Sequence, residues 1–436
     1  MTNNDDFPHE DANKENMNDD AADVNEQENE QPDEEPLQPH ELDGYLTHCI
    51  LEEDLPGIQQ CMDHGAQLSF RDDNSWTPVH RAAYKGKLNA LKCLVEDYGA
   101  DVNVLDNQGD SPLLLSLAEG HLNIVQFLIG NCRVDPRNQR IPPLCLAVQL
   151  YFKRGLPIVK YLVEQTQAEV EATSEDEKCT PLLLCRHEAV VQYMVKEAKA
   201  NVNVVNPQDG NTPLHQACAQ NVPNMEWIEC LVEAGANVST VNHEGNTPLF
   251  LLCLSDGTPI MWEDEDEELL EKYGILPKVQ LLVKHGGSPM IHQANRKGQT
   301  ALHNCAFYNS LDVIRYLIEE HGANVNAVDE EGWTPLLRVF GGVNEKATEM
   351  VDYLVNKAGA DVLCRNHKGD SCLSQCQAHN QPFEVFQIIC EKTIPHIPEE
   401  DRVKYFGPMA IDAAMSYPAT LQYLIEHALG EKAQLV

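Results

Sequence analysis

Cys364, His367, Cys372, Cys376 and His379 crowd one stretch of the chain. Cysteine and histidine are the side chains that hold zinc, and a structural site gathers four of them from tightly spaced pairs on converging turns. The spacing here is looser, and two of the positions have another explanation. Cys376 stands five residues after Ser371, a slot that holds Ala82 after Thr77 and Ala217 after Thr212. Cys185 and Cys305 fill the same slot, and Cys218 and Cys253 fall one residue later, level with Ala83. Cys372 takes the place that proline occupies after those threonines. Cysteine in such places reads as a small buried hydrophobe. The 15 cysteines are therefore expected to be reduced thiols and not a disulfide framework, and no metal site is expected.

His80, His215 and His303 form a second candidate set. Each stands three residues after a threonine: Thr77, Thr212 and Thr300. Nucleophilic catalysis needs a Ser or Cys within reach of such an imidazole and a third group to orient it. No such arrangement stands out, nor does a Gly-rich phosphate loop or a carboxylate pair distinct from the charged background. No catalytic residue, no cofactor and no small-molecule substrate is expected.

The elements that carry these residues repeat. Asp209 to Asn242 shows the unit most clearly. Asp209-Gly210 is a turn signal. Thr212 follows as a helix N-cap and Pro213 as the first helical residue, since a hydroxyl can take an orphan N–H and proline has none to leave unpaired. Leu214, Ala217 and Cys218 give a short apolar stripe. Asn221-Val222-Pro223 breaks the helix, Ile228, Leu231 and Val232 space out a second, and Gly235 stops it. One such unit cannot bury its own apolar face and needs neighbours. They follow at Thr77-Pro78, Ser111-Pro112, Pro142-Pro143, Thr180-Pro181, Thr247-Pro248, Thr300-Ala301, Thr334-Pro335 and Ser371-Cys372, at steps of 31 to 38 residues with a single step of 53.

This period and pattern resemble the ankyrin repeat. The residues that carry the resemblance are Thr77-Pro78-Val79-His80-Arg81-Ala82-Ala83, Thr212-Pro213-Leu214-His215-Gln216-Ala217-Cys218 and Gly298-Gln299-Thr300-Ala301-Leu302-His303, with the returns Gly99-Ala100-Asp101-Val102-Asn103 and Gly322-Ala323-Asn324-Val325-Asn326. It covers roughly nine-tenths of the chain by the repeat logic. The resemblance implies an all-α ankyrin-repeat solenoid of about ten helix-turn-helix units with short β-turn tips. It implies that His80, His215 and His303 tie one repeat to the next through backbone hydrogen bonds. Asparagines such as Asn103, Asn203 and Asn326 can be hydroxylated in the family by an asparaginyl hydroxylase, although a hairpin asparagine is the plainer reading.

The units are unequal. Residues 1–41 hold 15 acidic residues and one lysine, and read as a disordered acidic tail. Within it Lys14-Glu15-Asn16 resembles the KEN-type degron read by a cell-cycle ubiquitin ligase. The solenoid is expected over 42–436, with degenerate capping units at 42–71 and 407–436. In the unit after Pro142-Pro143, Arg154-Gly155 is expected to lengthen the turn between the helices. The unit after Thr180 is trimmed between Cys185 and Val190, so its first helix is expected to run short. The long step places an insertion within 255–277, with an acidic run beside Trp262.

A net charge of −38 with a pI near 4.6 disfavours nucleic acid and anionic membranes and favours a basic partner. No transmembrane run and no signal peptide is read, so a cytoplasmic or nuclear location is expected. In the ankyrin family, partners bind a concave face built from the turn tips and the ends of the first helices. On that face the aromatic positions are Trp76 with Tyr84, and Phe307-Tyr308 with Trp333. Together with Lys85, Arg296, Lys297 and Trp262 they are the expected contact residues, since Trp and Tyr anchor interfaces. The expected function is a non-catalytic scaffold or adaptor that binds a protein partner. The alternatives are a substrate-recognition subunit of a ubiquitin ligase and an IκB-like inhibitor that sequesters a basic regulatory protein.

Overall fold

The computed structural model describes residues 39–150, 152–173, 178–220, 224–254, 274–308, 310–342, 347–379, 381–408 and 418–429. The N-terminal stretch before 39, residues 255–273 with the acidic run and Trp262, and residues 409–417 of the expected last unit lie outside these residues, whereas 275–277, expected within the insertion, belong to the helix Ile275–Gly286.

Thr212 lies in extended backbone and Pro213–Cys218 forms the first helix, with the Thr212 Oγ1 taking the His215 N–H at 3.4 Å. Ser111, Thr247 and Thr334 accept the N–H three residues on in the same way. The second helices follow: Leu55–Asp63, Met225–Glu233 and Ile275–Gly286 are continuous, and Phe152–Thr166 is the longest. First helices pack on first helices and second on second along the chain, giving two helical layers. The core runs between them without a break, from Leu42 and Leu46 to Leu424 and Leu429. Among the described residues the β structure is one isolated bridge, Arg365 with Ser371.

The first unit's helix spans Pro39–Glu52, so it begins ahead of the expected boundary at 42. Arg154 and Gly155 correct the sequence reading: they lie inside Phe152–Thr166 and not in a turn. The close approach of that helix is the reason. A Cβ on Gly155 would sit 2.9 Å from the Ala147 carbonyl, so glycine lets the helix start earlier than its turn-like sequence implies.

The second helices come in two forms. Where five residues separate the core leucine from the closing alanine, as in Leu231 to Ala236, the Ala236 N–H meets the Leu231 carbonyl at 3.0 Å. Six separate Leu94 from Ala100 and Leu317 from Ala323, where the bonds are 2.9 Å and the last turn widens to π geometry over Cys93–Asp97 and Tyr316–Glu320, whereas Leu162 to Ala168 spans six at 3.2 Å after a helix that stays α to Thr166. In the first two the extra residue is absorbed as a wider turn. The residue before the closing alanine is left-handed in either form. Gly99, Gly235, Gly322 and Gly359 serve there, but Gln167 and Lys199 occupy the same place at φ 53° and 58°.

Candidate protein-binding face

Six of the tips are each built on one Asx side chain. Asp72 Oδ1 accepts the N–H of Asn74 and of Trp76, both at 2.9 Å. Asp106, Asn242, Asn295, Asp329 and Asn366 do the same two and four residues on. Neighbouring tips then bond through the backbone. His243 to Asp209, Arg296 to Glu244, Glu330 to Lys297 and His367 to Glu331 are each 2.9 Å N–H to carbonyl. Arg296 and Lys297 thus sit exposed at the tip of this ladder.

The histidines lock the tips to the helices. The Thr212 N–H donates to His215 Nδ1 at 3.2 Å, and His215 Nε2 meets the Asn246 carbonyl of the next tip at 3.0 Å. His80 repeats this with Thr77 and Asp110, and His303 with Thr300 and Trp333. Nδ1 accepts, so the proton resides on Nε2 and the rings are neutral. Burial holds all three below the ordinary imidazole value, against the raising effect of the carbonyl contacts. Asn203 and Asn326 staple the return loops. Asn203 donates to the Gly235 carbonyl at 3.1 Å and accepts the Asn237 N–H at 2.8 Å, and Asn326 does so with Gly359 and Asp361 at 3.3 and 2.8 Å.

Two tips carry a common cassette. Trp76 is half-buried. Arg81 pairs with the Asp72 carboxylate and lies over the Trp76 ring at 5.9 Å. Tyr84 stands 4.9 Å from Trp76, Lys85 covers Tyr84 at 5.1 Å, and the Trp76 indole donates to Asp106 Oδ2 at 3.0 Å. The half-buried Trp333 has Arg338 over it at 5.0 Å, and Arg338 meets Asp329 at 2.7 Å. Burial pushes the Asp329 carboxyl up, but Arg338 and the Trp333 and Glu331 amides outweigh it and hold it low. Sequence reasoning missed Arg81 and Arg338. An arginine five residues after each tip tryptophan was the signal that could have found them.

The second aromatic group is less compact than expected. Phe307 and Tyr308 stack edge to face at 5.0 Å, and Phe307 lies against Gly341, whose missing Cβ would be 3.5 Å away. Among the described residues no ring contact joins Trp333 to them. Cys364 and Cys372 do meet, Sγ to Sγ at 3.8 Å, across the hairpin that the Arg365–Ser371 bridge closes. No group of three or more potential ligands gathers among the described residues. No helix among them is long and apolar enough to cross a membrane.

Stacked helix pairs, capped tips and a histidine lock between units define a helical-repeat scaffold. Its sequence matches the family model for ankyrin repeats over residues 46–140, 184–261 and 271–366, and the chain belongs to the ankyrin-repeat family. It is similar to a NAD-dependent deacetylase sir2B of Dictyostelium discoideum, 23% identical over 340 residues, which are 72% of this chain and 39% of that protein. An inhibitor of apoptosis, OPG037, of Monkeypox virus is 22% identical over 366 residues, 76% of this chain and 79% of the viral one. The E3 ubiquitin-protein ligase KEG of Arabidopsis thaliana is 23% identical over 349 residues, 75% of this chain and 20% of the plant protein. The chain thus spans well under half the length of the deacetylase and of the ligase. Ankyrin repeats bind protein partners.

Proposed function

We propose that this chain is a non-catalytic scaffold or adaptor that binds a protein partner on the concave face of the ankyrin stack. The cassette in which an aspartate and an arginine hold a half-buried tryptophan carries this reading. It occurs at Trp76 and at Trp333, near the two ends of the stack. The ion pair and the overlying guanidinium fix each indole in one pose, so little side-chain entropy remains to be lost on binding. Tyr84, Lys85, Phe307, Tyr308, Arg296 and Lys297 complete the contact set. The net charge of −38 favours a partner with a basic surface, drawn in by long-range attraction.

A second reading is a substrate-recognition subunit of a ubiquitin ligase. The similarity to the plant ligase over 75% of this chain favours it. Both readings use the same face and differ in whether the bound partner becomes ubiquitylated. The test recovers the partner by affinity purification and measures its binding to Trp76→Ala, Trp333→Ala and a chain lacking residues 261–270. Weaker binding of the two tryptophan variants with an unchanged fold is expected. The deletion should alter association rate and salt dependence alone.

A further inference from the structure

The inner wall of the stack has a gap between the Thr180 and Thr212 units. After Thr180 the first helix is cut to Pro181–Leu184, and at Cys185 the backbone turns extended, φ −61° and ψ 134°. After Thr77 the corresponding helix runs Pro78–Tyr84, and after Thr212 it runs Pro213–Cys218. First helices of five residues occur elsewhere, at Pro143–Ala147, Pro248–Leu252 and Pro335–Val339, but their caps stay helical, and beside the extended break at Cys185 lies a cleft of about 520 Å³, inside the roughly 300–1,000 Å³ of small ligand pockets. Leu183 and Leu184 line it from the shortened unit, Gln216 and Gln220 from the next first helix, and Trp227 from the second helix of that unit. The exposed Arg186 is its one charged group, and no carboxylate lines it, in a chain of net charge −38.

Two polar atoms in this lining have no partner. Trp227 is 5% exposed and its Nε1–H makes no hydrogen bond. Gln216 Oε1 makes none either. Both are closed to water, so both carry the cost of an unmade hydrogen bond. One is a donor and the other an acceptor. A peptide group supplies the complement of both, a carbonyl for the indole and an N–H for the glutamine, and so does no single charged side chain.

We propose that this cleft binds the main chain of an extended segment of a protein partner, with Trp227 Nε1–H donating to a partner carbonyl and Gln216 Oε1 accepting a partner N–H. Engagement requires each side chain to turn its buried polar atom toward the cleft. The proposal rests on the concave-face reading and names one thing that face recognises. Net charge steers encounter from a distance, whereas the cleft reads main chain.

The test uses the full chain and random-sequence peptides selected on it by display. A selected peptide should move the Trp227 indole resonance, assigned through Trp227→Phe, and saturate it. Methylating the peptide's main-chain nitrogens one at a time should reveal one position that weakens binding about tenfold or more, as expected for a lost hydrogen bond. Ala219→Trp, which fills the cleft, should weaken binding similarly, with its thermal midpoint as the check on folding. Gln216→Leu removes the acceptor at nearly constant volume and should lose the sensitivity to that methylation. A Trp227 resonance that stays in place, equal binding to Ala219→Trp, indifference to methylation at every position, or no selectable peptide each overturns the proposal. Trp76→Ala and Trp333→Ala should leave peptide binding intact. Peptides that bind the cleft while neither variant weakens the whole partner would sink the aromatic-face reading and leave the cleft standing.

Discussion

Replacing His215 by alanine removes a fully buried ring that joins two repeats. The imidazole accepts the Thr212 N–H at 3.2 Å, lies 2.8 Å from the Thr212 hydroxyl and meets the Asn246 carbonyl at 3.0 Å. The carbonyl keeps a second partner, the Asn242 N–H at 3.0 Å, so it loses one bond and is not orphaned. The Thr212 N–H is left buried and alone. An unpaired buried donor costs about 1–3 kcal/mol and the lost carbonyl bond about 1. With the cavity added, His215→Ala should cost about 3 kcal/mol or more. Urea unfolding followed by circular dichroism measures the total. Amide exchange in Pro213–Cys218 and Pro248–Leu252 should rise before exchange in distant units, because repeats fail locally. The same geometry fixes a pH dependence. His80, His215 and His303 are held below the ordinary value near 6.5. Below that pH the unfolded chain binds protons that the native rings refuse. Stability is therefore fully present above about pH 6.5 and falls as pH drops toward the folded values. His215→Ala should flatten this slope. A cost under about 1 kcal/mol, or a midpoint that rises on acidification, would refute the histidine lock.

Further outcomes are expected. Lys199→Gly should stabilise by about 0.5–1 kcal/mol in thermal or urea unfolding, because left-handed backbone costs a side chain about 1–2 kcal/mol and glycine's added freedom takes back about 0.5–1. Thr212→Val should cost on the order of 1 kcal/mol by the same assay, through loss of the cap. Contact with the Cys372 thiol holds the Cys364 pKa below its ordinary value against the opposing effect of burial, whereas burial pushes the Cys93 thiol up to about 11. Mass spectrometry after brief alkylation near neutral pH should find Cys364 labelled ahead of the buried cysteines.

Much of this fold is legible in the sequence because the repeat states it many times. The Thr-Pro frame marks nearly every first helix, and Gly-Ala marks most of the stops. The shortened helix after Thr180 was also readable, from the few residues left between Cys185 and Val190. The cleft beside it was not, since its hydrogen-bonding atoms come from Gln216 and Trp227 of the following unit. Arg154-Gly155 misled because Gly in turn-like company reads as a break, and only packing against Ala147 shows why helix wins there. Trp333 and Phe307-Tyr308 share a face by repeat position, yet no ring contact joins them, because spacing along a repeat fixes the layer and not the direction in which a ring turns.

Site-specific photo-crosslinking tests the central claim most directly. A photoreactive phenylalanine at Tyr84 or Tyr308, on the proposed binding face, should capture the recovered partner in high yield. The same group at the exposed Glu226 of an outer helix should not. Capture from Glu226 with none from Tyr84 or Tyr308 would contradict the account and move the binding site to the outer helices.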